Sequence, residues 1–463
     1  LSSPSTGYQR QLSLPTALTF SLANLPVAAL YVAIGVYLPP FFATHVGVGL
    51  SVVGVVFMIV RLIDIPIDFL LGLAMDKTRT PIGRYRAWLV GGAPILMAAC
   101  FMLFMAPKGA GATYLVGWLL VLYLGNSILH LSHSAWTATL ATNYHERSRV
   151  FGVLAAIGVV GALCVLAIPI VSAQMGRNGA QSVNTMGWFF IVSVPLTVAI
   201  VASRIPERIT VDHSAEKFTL ADYRRLLSKP SLVRVLLADL GLALGPGWMS
   251  AMYIFFFTDS RGFTVSQASI LLGVYVAAGL LGAPIVSRVA MIFGKHRTVM
   301  ATTTLYSLGL CCVILPPKGV VLAYVPVMFW CGFMAAGFNL LTRAMVADIG
   351  DEVRLEQGKE RVSLLYALTT LTSKVAGAFS IGLTLTVLAA LGYQAKEGVQ
   401  NTPEAIRALE AAFLIGPIFF VMLGGACFIG YKLDARRHAE IRSELEARDK
   451  LYDETPAVDV ING

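Results

Sequence analysis

Two carboxylates set the chemistry that this sequence can do. Asp64 and Asp68 lie in an apolar run that opens the segment RLIDIPIDFLLGLAMDKTRTPIGRYRAW, with Arg61 at its start. On a helix, residues four apart project within roughly 40° of each other, one turn up. Adjacent carboxylates repel unless they share a proton or hold a cation between them. The pair therefore has the chemistry of a coupling-ion site for Na⁺ or H⁺. The alternative is structural, with the aspartates neutral or paired with Arg61 to hold helices together. A charge at the centre of a bilayer costs about 2.5–3.5 kcal/mol on insertion scales, which favours a functional site. Pro66 between the two removes a backbone donor, so a kink there can turn freed carbonyls toward an ion.

Other polar residues stand out against their apolar surroundings. Lys374 sits mid-run in LTTLTSKVAGAF, where a lysine needs a carboxylate, an anionic solute or an aqueous cavity. Asn126, His130, His133 and Trp136 share the fourth apolar run. His130 and His133 could relay protons, bind an anion or hydrogen-bond across helices, and Trp136 suits an aromatic wall of a pocket. Asn126, His133, Trp136, Lys374 and Arg61 are the substrate-side candidates. Asp239 lies in LLADLGLALGPGW, where Gly245-Pro246-Gly247 is expected to break the helix, as either a gate or a structural kink. Arg343 and Asp348 end the tenth run and read as gate ion pairs, as do Asp76 and Arg84 in the basic loop after the second.

These residues need long helices to hold them. The chain has 463 residues, 56% apolar and 13% charged, against about 25% charged in an ordinary soluble protein. Runs long enough to span a bilayer fall near 16–43, 49–74, 87–106, 112–141, 150–173 and 186–204, then near 232–258, 265–290, 298–315, 320–347, 361–391 and 407–432. The fold class expected is an all-α membrane protein of twelve transmembrane helices in two six-helix bundles. The net charge of +9 is concentrated in short loops. Lys77, Arg79, Arg84 and Arg86 follow the second run, and Arg354, Lys359 and Arg361 the tenth, whereas the opposite loops carry mostly single charges such as Lys108 and Lys318. The positive-inside rule then puts the even-numbered loops and both termini in the cytoplasm, and nucleic acid is not needed to explain the basic pI. The six cysteines lie in apolar stretches without metal-ligand spacing, and no metal is expected beyond Na⁺ at Asp64 and Asp68.

The expected division is 1–204 for the first bundle, 205–231 for a cytoplasmic linker with an amphipathic helix in FTLADYRRLLSKP, 232–432 for the second bundle, and 433–463 for a charged tail that starts helical. An internal echo supports two related halves: VGVGLSVVG before the second run resembles RGFTVSQAS before the eighth. Such repetition is a transporter signature, with the site at the interface of the halves. The eighth run has no acids, so ion chemistry is expected only in the N-terminal half.

RLIDIPIDF, then G-x-x-x-D-K with G-R-Y-R (Gly72, Asp76, Lys77, Gly83, Arg84, Arg86), then ADIGDEVRLEQGKERVSLLYALTTLTSKVAGAF at 347–379, are similar to the motifs of one family. Nearly the whole chain resembles the glycoside–pentoside–hexuronide:cation symporters, the melibiose permease family, within the major facilitator superfamily. The resemblance implies a cation (Na⁺, Li⁺ or H⁺) at Asp64 and Asp68, a cytoplasmic gate in the basic loop, and Lys374 near the cation and substrate sites. The chain differs in its sugar pocket. The first-helix stretch NLPVAALYV has no acid, Ser132 stands where the family's galactoside carriers have an acid four residues before Trp136, and ERSRVFG is followed by Val153, Leu154 and Ala155 rather than an Arg.

The sequence thus reads as a secondary active transporter in the bacterial inner membrane. It would carry a sugar, glycoside or uronate with Na⁺ or H⁺ by alternating access. The alternative is a non-sugar amphiphile, such as an organic anion or lysolipid, on the same scaffold. No H-E-x-x-H or G-x-S-x-G motif suggests an enzyme. No cofactor is expected, and the partners expected are a small solute and the bilayer, with the chain a monomer.

Overall fold

Within a bilayer every backbone N–H and C=O must find an internal partner, so long apolar runs become helices. The computed structural model describes residues 13–140, 144–207, 220–358 and 362–454. Among the described residues, twelve helices are long and apolar enough to cross a membrane. The first six spans are Asn24–Val46, Leu50–Lys77, Tyr85–Phe104, Ala112–Thr137, Arg149–Gln174 and Gly179–Arg204. The last six are Pro230–Ser260, Val265–Phe293, Lys295–Ile314, Val321–Glu356, Leu364–Ala390 and Pro403–Ala426. Large apolar side chains stay exposed on them, among them Phe69, Leu70, Met291 and Ile292, as a surface meeting lipid requires.

The chain divides into two compact units. One holds the first six spans with Val265–Ile270 and Gln394–Gln400, and the other holds the seventh span, Leu271–Tyr393 and the chain from Asn401. The same pairing is repeated inside each. In the first unit the third span packs on the fourth and sixth, and the first on the fifth. In the second unit the ninth packs on the tenth and twelfth, and the seventh on the eleventh. The sequence echo has a conformational cause. The first span ends in a π-helical turn, Phe42–Val46, and the seventh in another, Phe256–Ser260. Each is followed by a glycine in the left-handed region, Gly47 (φ 89) and Gly262 (φ 74), before the next helix begins. A side chain with Cβ is strained there, so both halves carry glycine at the same step.

Three expectations change. The seventh span is not broken at Gly245-Pro246-Gly247: the helix Pro230–Phe255 runs through Pro246. The glycines serve contact instead. A Cβ on Gly241 would lie 2.7 Å from the Phe420 carbonyl oxygen, and one on Gly245 would lie 3.0 Å from that of Pro417, so both let the twelfth span approach closely. The expected first run divides into a short helix, Leu14–Ser21, and the span from Asn24. The tenth helix continues to Gln357, about ten residues past the apolar run. Its charged extension is held by the tail helix Ala435–Glu454. His438 lies 3.1 Å from Asp351, Arg442 lies 3.8 Å from Asp351, and Arg448 donates to the Arg354 and Leu355 carbonyls at the end of the helix. The linker helix is Leu220–Leu227. The polar N-terminal stretch 1–12, most of the linker before that helix (208–219) and the tail end 455–463 lie outside the described residues.

Candidate functional site

In the first unit the second span carries Arg61, Asp64 and Asp68. Asp64 is 1% exposed and Arg61 14%. The Arg61 Nη1 stands 3.3 Å from Asp64 Oδ2, and Ser127 Oγ donates to Asp64 Oδ1 at 2.9 Å. The guanidinium lies over the Tyr123 ring, 4.7 Å from its centroid, and 6.0 Å from that of Tyr31. Asp68, one turn on and half-buried, is also within electrostatic reach of Arg61. Asn126 Nδ2 donates to Tyr31 Oη at 3.2 Å, and His130 meets the Tyr31 ring edge-on. Three spans therefore converge on one polar cluster. The fourth contributes Tyr123, Asn126, Ser127 and His130, a stripe at i, i+3, i+4 and i+7 that lies on one helix face.

His133 and Trp136 belong to a second cluster in the same unit. His133 Nε2 is 2.8 Å from the Phe20 carbonyl oxygen, and its ring stacks on Phe20 at 4.3 Å. Trp136 is fully buried, edge-on to Phe20 at 5.7 Å and under the Arg86 guanidinium at 5.6 Å. Of the substrate-side candidates, the structure thus brings Arg61 and Asn126 to the Asp64 cluster and packs His133 and Trp136 around Phe20. Tyr31, Tyr123 and Ser127 were not singled out in the sequence. The polar stripe on the fourth span is the sequence signal that carries the last two, visible only once its four members are read as one helix face.

The basic loop of the first unit closes on itself. Asp76 pairs with Arg84 in the same loop, and Arg84 Nε donates to the Met75 carbonyl at 2.9 Å. Glu207, just after the sixth span, accepts from the backbone N–H of Arg84 (2.8 Å), Tyr85 (2.7 Å) and Arg86 (3.0 Å). A carboxylate there satisfies the orphan donors at the start of the third span and meets the positive end of its dipole. Gly83, at φ 119, leaves the space that the Glu207 carboxylate fills. Glu207 was invisible from the sequence, being over a hundred residues from its partners.

In the second unit Asp239 is buried and held by hydroxyls. Thr372 Oγ1 donates to Oδ2 at 2.7 Å, Ser373 Oγ to Oδ2 at 3.1 Å, and Thr342 Oγ1 to Oδ1 at 3.4 Å. Arg343 is exposed and acts on Asp239 only at longer range. Asp348 is paired with Lys295, which donates 2.7 Å bonds to both of its oxygens, with His438 at 3.4 Å. The helix continues past Asp348, so this aspartate faces the ninth span and the tail helix rather than ending its own helix. Lys374 is half-buried on the eleventh span, next to Ser373. Among the described residues no three His, Cys, Asp or Glu side chains form a metal-binding group.

Residues 19–435 match the family model for MFS/sugar transport proteins. The isoprimeverose transporter of Lactiplantibacillus pentosus is 23% identical, over 90% of this chain and 88% of its own length. The human sodium-dependent lysophosphatidylcholine symporter 1 is also 23% identical, over 95% of this chain and 89% of its own. A crystal structure of the nucleoside transporter NupG is similar in fold, with a TM-score of 0.64 at 14% identity, covering 90% of this chain and 99% of that one.

Proposed function

We propose that this chain, which belongs to the family of MFS/sugar transport proteins, moves a sugar, glycoside or uronate together with Na⁺ or H⁺ by alternating access. It is a multi-pass membrane transporter and not an enzyme. The observation that carries the proposal is the looseness of the Asp64–Arg61 pair. At 3.3 Å it is longer than the 2.7–2.9 Å of a tight charge-assisted bond, and Asp68 stands one turn away. A cation or proton at Asp64 and Asp68 replaces a weak contact and leaves the guanidinium available to the solute. Tyr31 and His130, both exposed beside Arg61, add a hydroxyl and an imidazole suited to sugar hydroxyls. Coupling follows if the solute binds the ion-loaded site more tightly than the empty one, since equal affinities couple nothing.

The ion is assigned as Na⁺ in preference to H⁺. The paired carboxylates and Ser127 supply an oxygen-rich site, whereas a proton needs only one carboxylate. Asp76 and Arg84 hold the loop that gates the cytoplasmic side, with Arg343 at the corresponding end of the other unit. The basic loops support a reading with both termini on the cytoplasmic side of a bacterial inner membrane. The lysophosphatidylcholine relative supplies the rival reading, an amphiphile whose anionic head meets Arg61. A thermal-shift screen of sugars, glycosides, uronates, organic acids and lysolipids, each with Na⁺ or choline, separates the two. Stabilisation by a saccharide that grows with Na⁺ is expected. Stabilisation by lysolipids alone contradicts the sugar assignment.

A further inference from the structure

We propose that Asp239 is the centre of a second monovalent-cation site, of Na⁺ or Li⁺ size, in the C-terminal unit. Asp239 belongs to a different unit from Asp64. Its oxygens come from three spans: the Asp239 carboxylate from the seventh, Thr342 from the tenth, and Thr372 and Ser373 from the eleventh. One carboxylate with several neutral oxygens balances one monovalent charge, and hard cations take oxygen donors of this kind. Oxygens at right angles around a hard cation with bonds of about 2.4 Å stand about 3.4 Å apart. Thr342 Oγ1 already stands 3.4 Å from Asp239 Oδ1, while Ser373 at 3.1 Å and Thr372 at 2.7 Å must move outward to admit the ion.

The hydroxyl protons distinguish this arrangement from a carboxylate that is simply satisfied. The three hydroxyls donate to Asp239. Yet Thr342 Oγ1 also lies 2.8 Å from the Phe338 carbonyl and 3.1 Å from that of Asn339, and Thr372 Oγ1 lies 2.9 Å from that of Thr369. Each threonine can pass its single proton to its own helix and turn a lone pair toward an ion, stranding no donor. The two threonines therefore change from donors around an anion to acceptors around a cation by hydroxyl rotation alone. The charged groups on the neighbouring spans do not fill the position. Arg343 reaches Asp239 only at Coulombic range, and among the described residues no Lys, Arg or His forms an ion pair with it. A buried carboxylate without a close counter-charge carries a desolvation cost that a bound cation offsets.

The test uses the full chain in detergent at fixed pH and ionic strength, with NaCl exchanged for choline chloride and melting followed thermally. The Asp64→Asn/Asp68→Asn variant removes the first site. It is expected to keep a Na⁺-dependent rise in melting temperature. Adding Asp239→Asn is expected to abolish that rise. Adding Thr372→Ala instead, which keeps the carboxylate, is expected to raise the Na⁺ concentration for half-maximal effect by about tenfold, the change for about 1.4 kcal/mol of lost ligation. If Asp239→Asn does not fold, Thr372→Ala decides. Indifference of the Asp64→Asn/Asp68→Asn variant to Na⁺ overturns the site, as does a response that neither further substitution moves. A response to pH with none to Na⁺ overturns it in favour of a proton. Loss of gradient-driven uptake in the same Asp64→Asn/Asp68→Asn variant tests the Asp64 reading separately.

Discussion

Asp64 and Asp239 are both buried carboxylates on membrane spans, one in each unit, and the chain stabilises them in opposite ways. Asp64 stands beside a tethered cation, Arg61, three residues away on its own helix, and accepts from the Ser127 hydroxyl. Asp239 has three hydroxyls from two other helices and no close cation among the described residues. A carboxylate with a guanidinium at 3.3 Å has part of its charge balanced, so an ion competes with that contact. A carboxylate among hydroxyls is solvated but not neutralised, so an ion adds what is missing. The same residue type thus supports exchange in one unit and addition in the other.

The largest effect expected of a substitution in this comparison follows from breaking the ion pair. Arg61→Gln takes the guanidinium away from the buried Asp64 carboxylate, a change that costs about 3–5 kcal/mol for a buried pair losing one partner. Asp64→Asn added to it should restore most of that stability, because a neutral pair needs no counter-charge. Melting of the two single variants and the double variant measures the coupling, and simple additivity would mean that the pair at 3.3 Å contributes nothing. The effect at Asp239 is smaller. Thr372→Val removes one of three donors, about 1.5–3 kcal/mol for a bond to a charged group, and leaves the other two. Equal losses for Arg61→Gln and Thr372→Val would erase the difference drawn between the two units. The smallest effect is expected for Thr342→Val, whose 3.4 Å contact is the longest of the three and whose hydroxyl already bonds its own helix.

What the sequence made legible follows from which interactions are local. The spans could be read because a bilayer demands uninterrupted apolar runs. Arg61, Asp64 and Asp68 could be read because they stand three and four apart on one helix. The stripe of Tyr123, Asn126, Ser127 and His130 was equally local, but its members are unremarkable singly and only their common face marks them. Partners from distant helices left no such trace. Glu207 caps a helix more than a hundred residues before it, and the hydroxyls of Asp239 come from the tenth and eleventh spans. The Gly-Pro-Gly step misled for a related reason. Glycine and proline read as breakers in isolation, but here Gly245 serves a close approach to the twelfth span and Gly247 one to Ser380 on the eleventh, which only tertiary structure reveals. The tenth helix outran its apolar stretch because charged residues of the tail helix, not lipid, hold its end.

The account rests on Asp64 holding the coupling ion, and one measurement tests that most directly. Wild-type chain and Asp64→Asn are reconstituted in proteoliposomes, with the saccharide selected by the screen as solute and an imposed Na⁺ gradient, or an imposed pH gradient in parallel. Wild-type chain should accumulate the unmodified solute above its external concentration. Asp64→Asn should show no accumulation under either gradient while still exchanging solute across the membrane at equal concentrations, because the ion site is lost and the solute path is kept. Full gradient-driven accumulation by Asp64→Asn, matched to wild type, would contradict the assignment and leave Asp64 as a structural partner of Arg61.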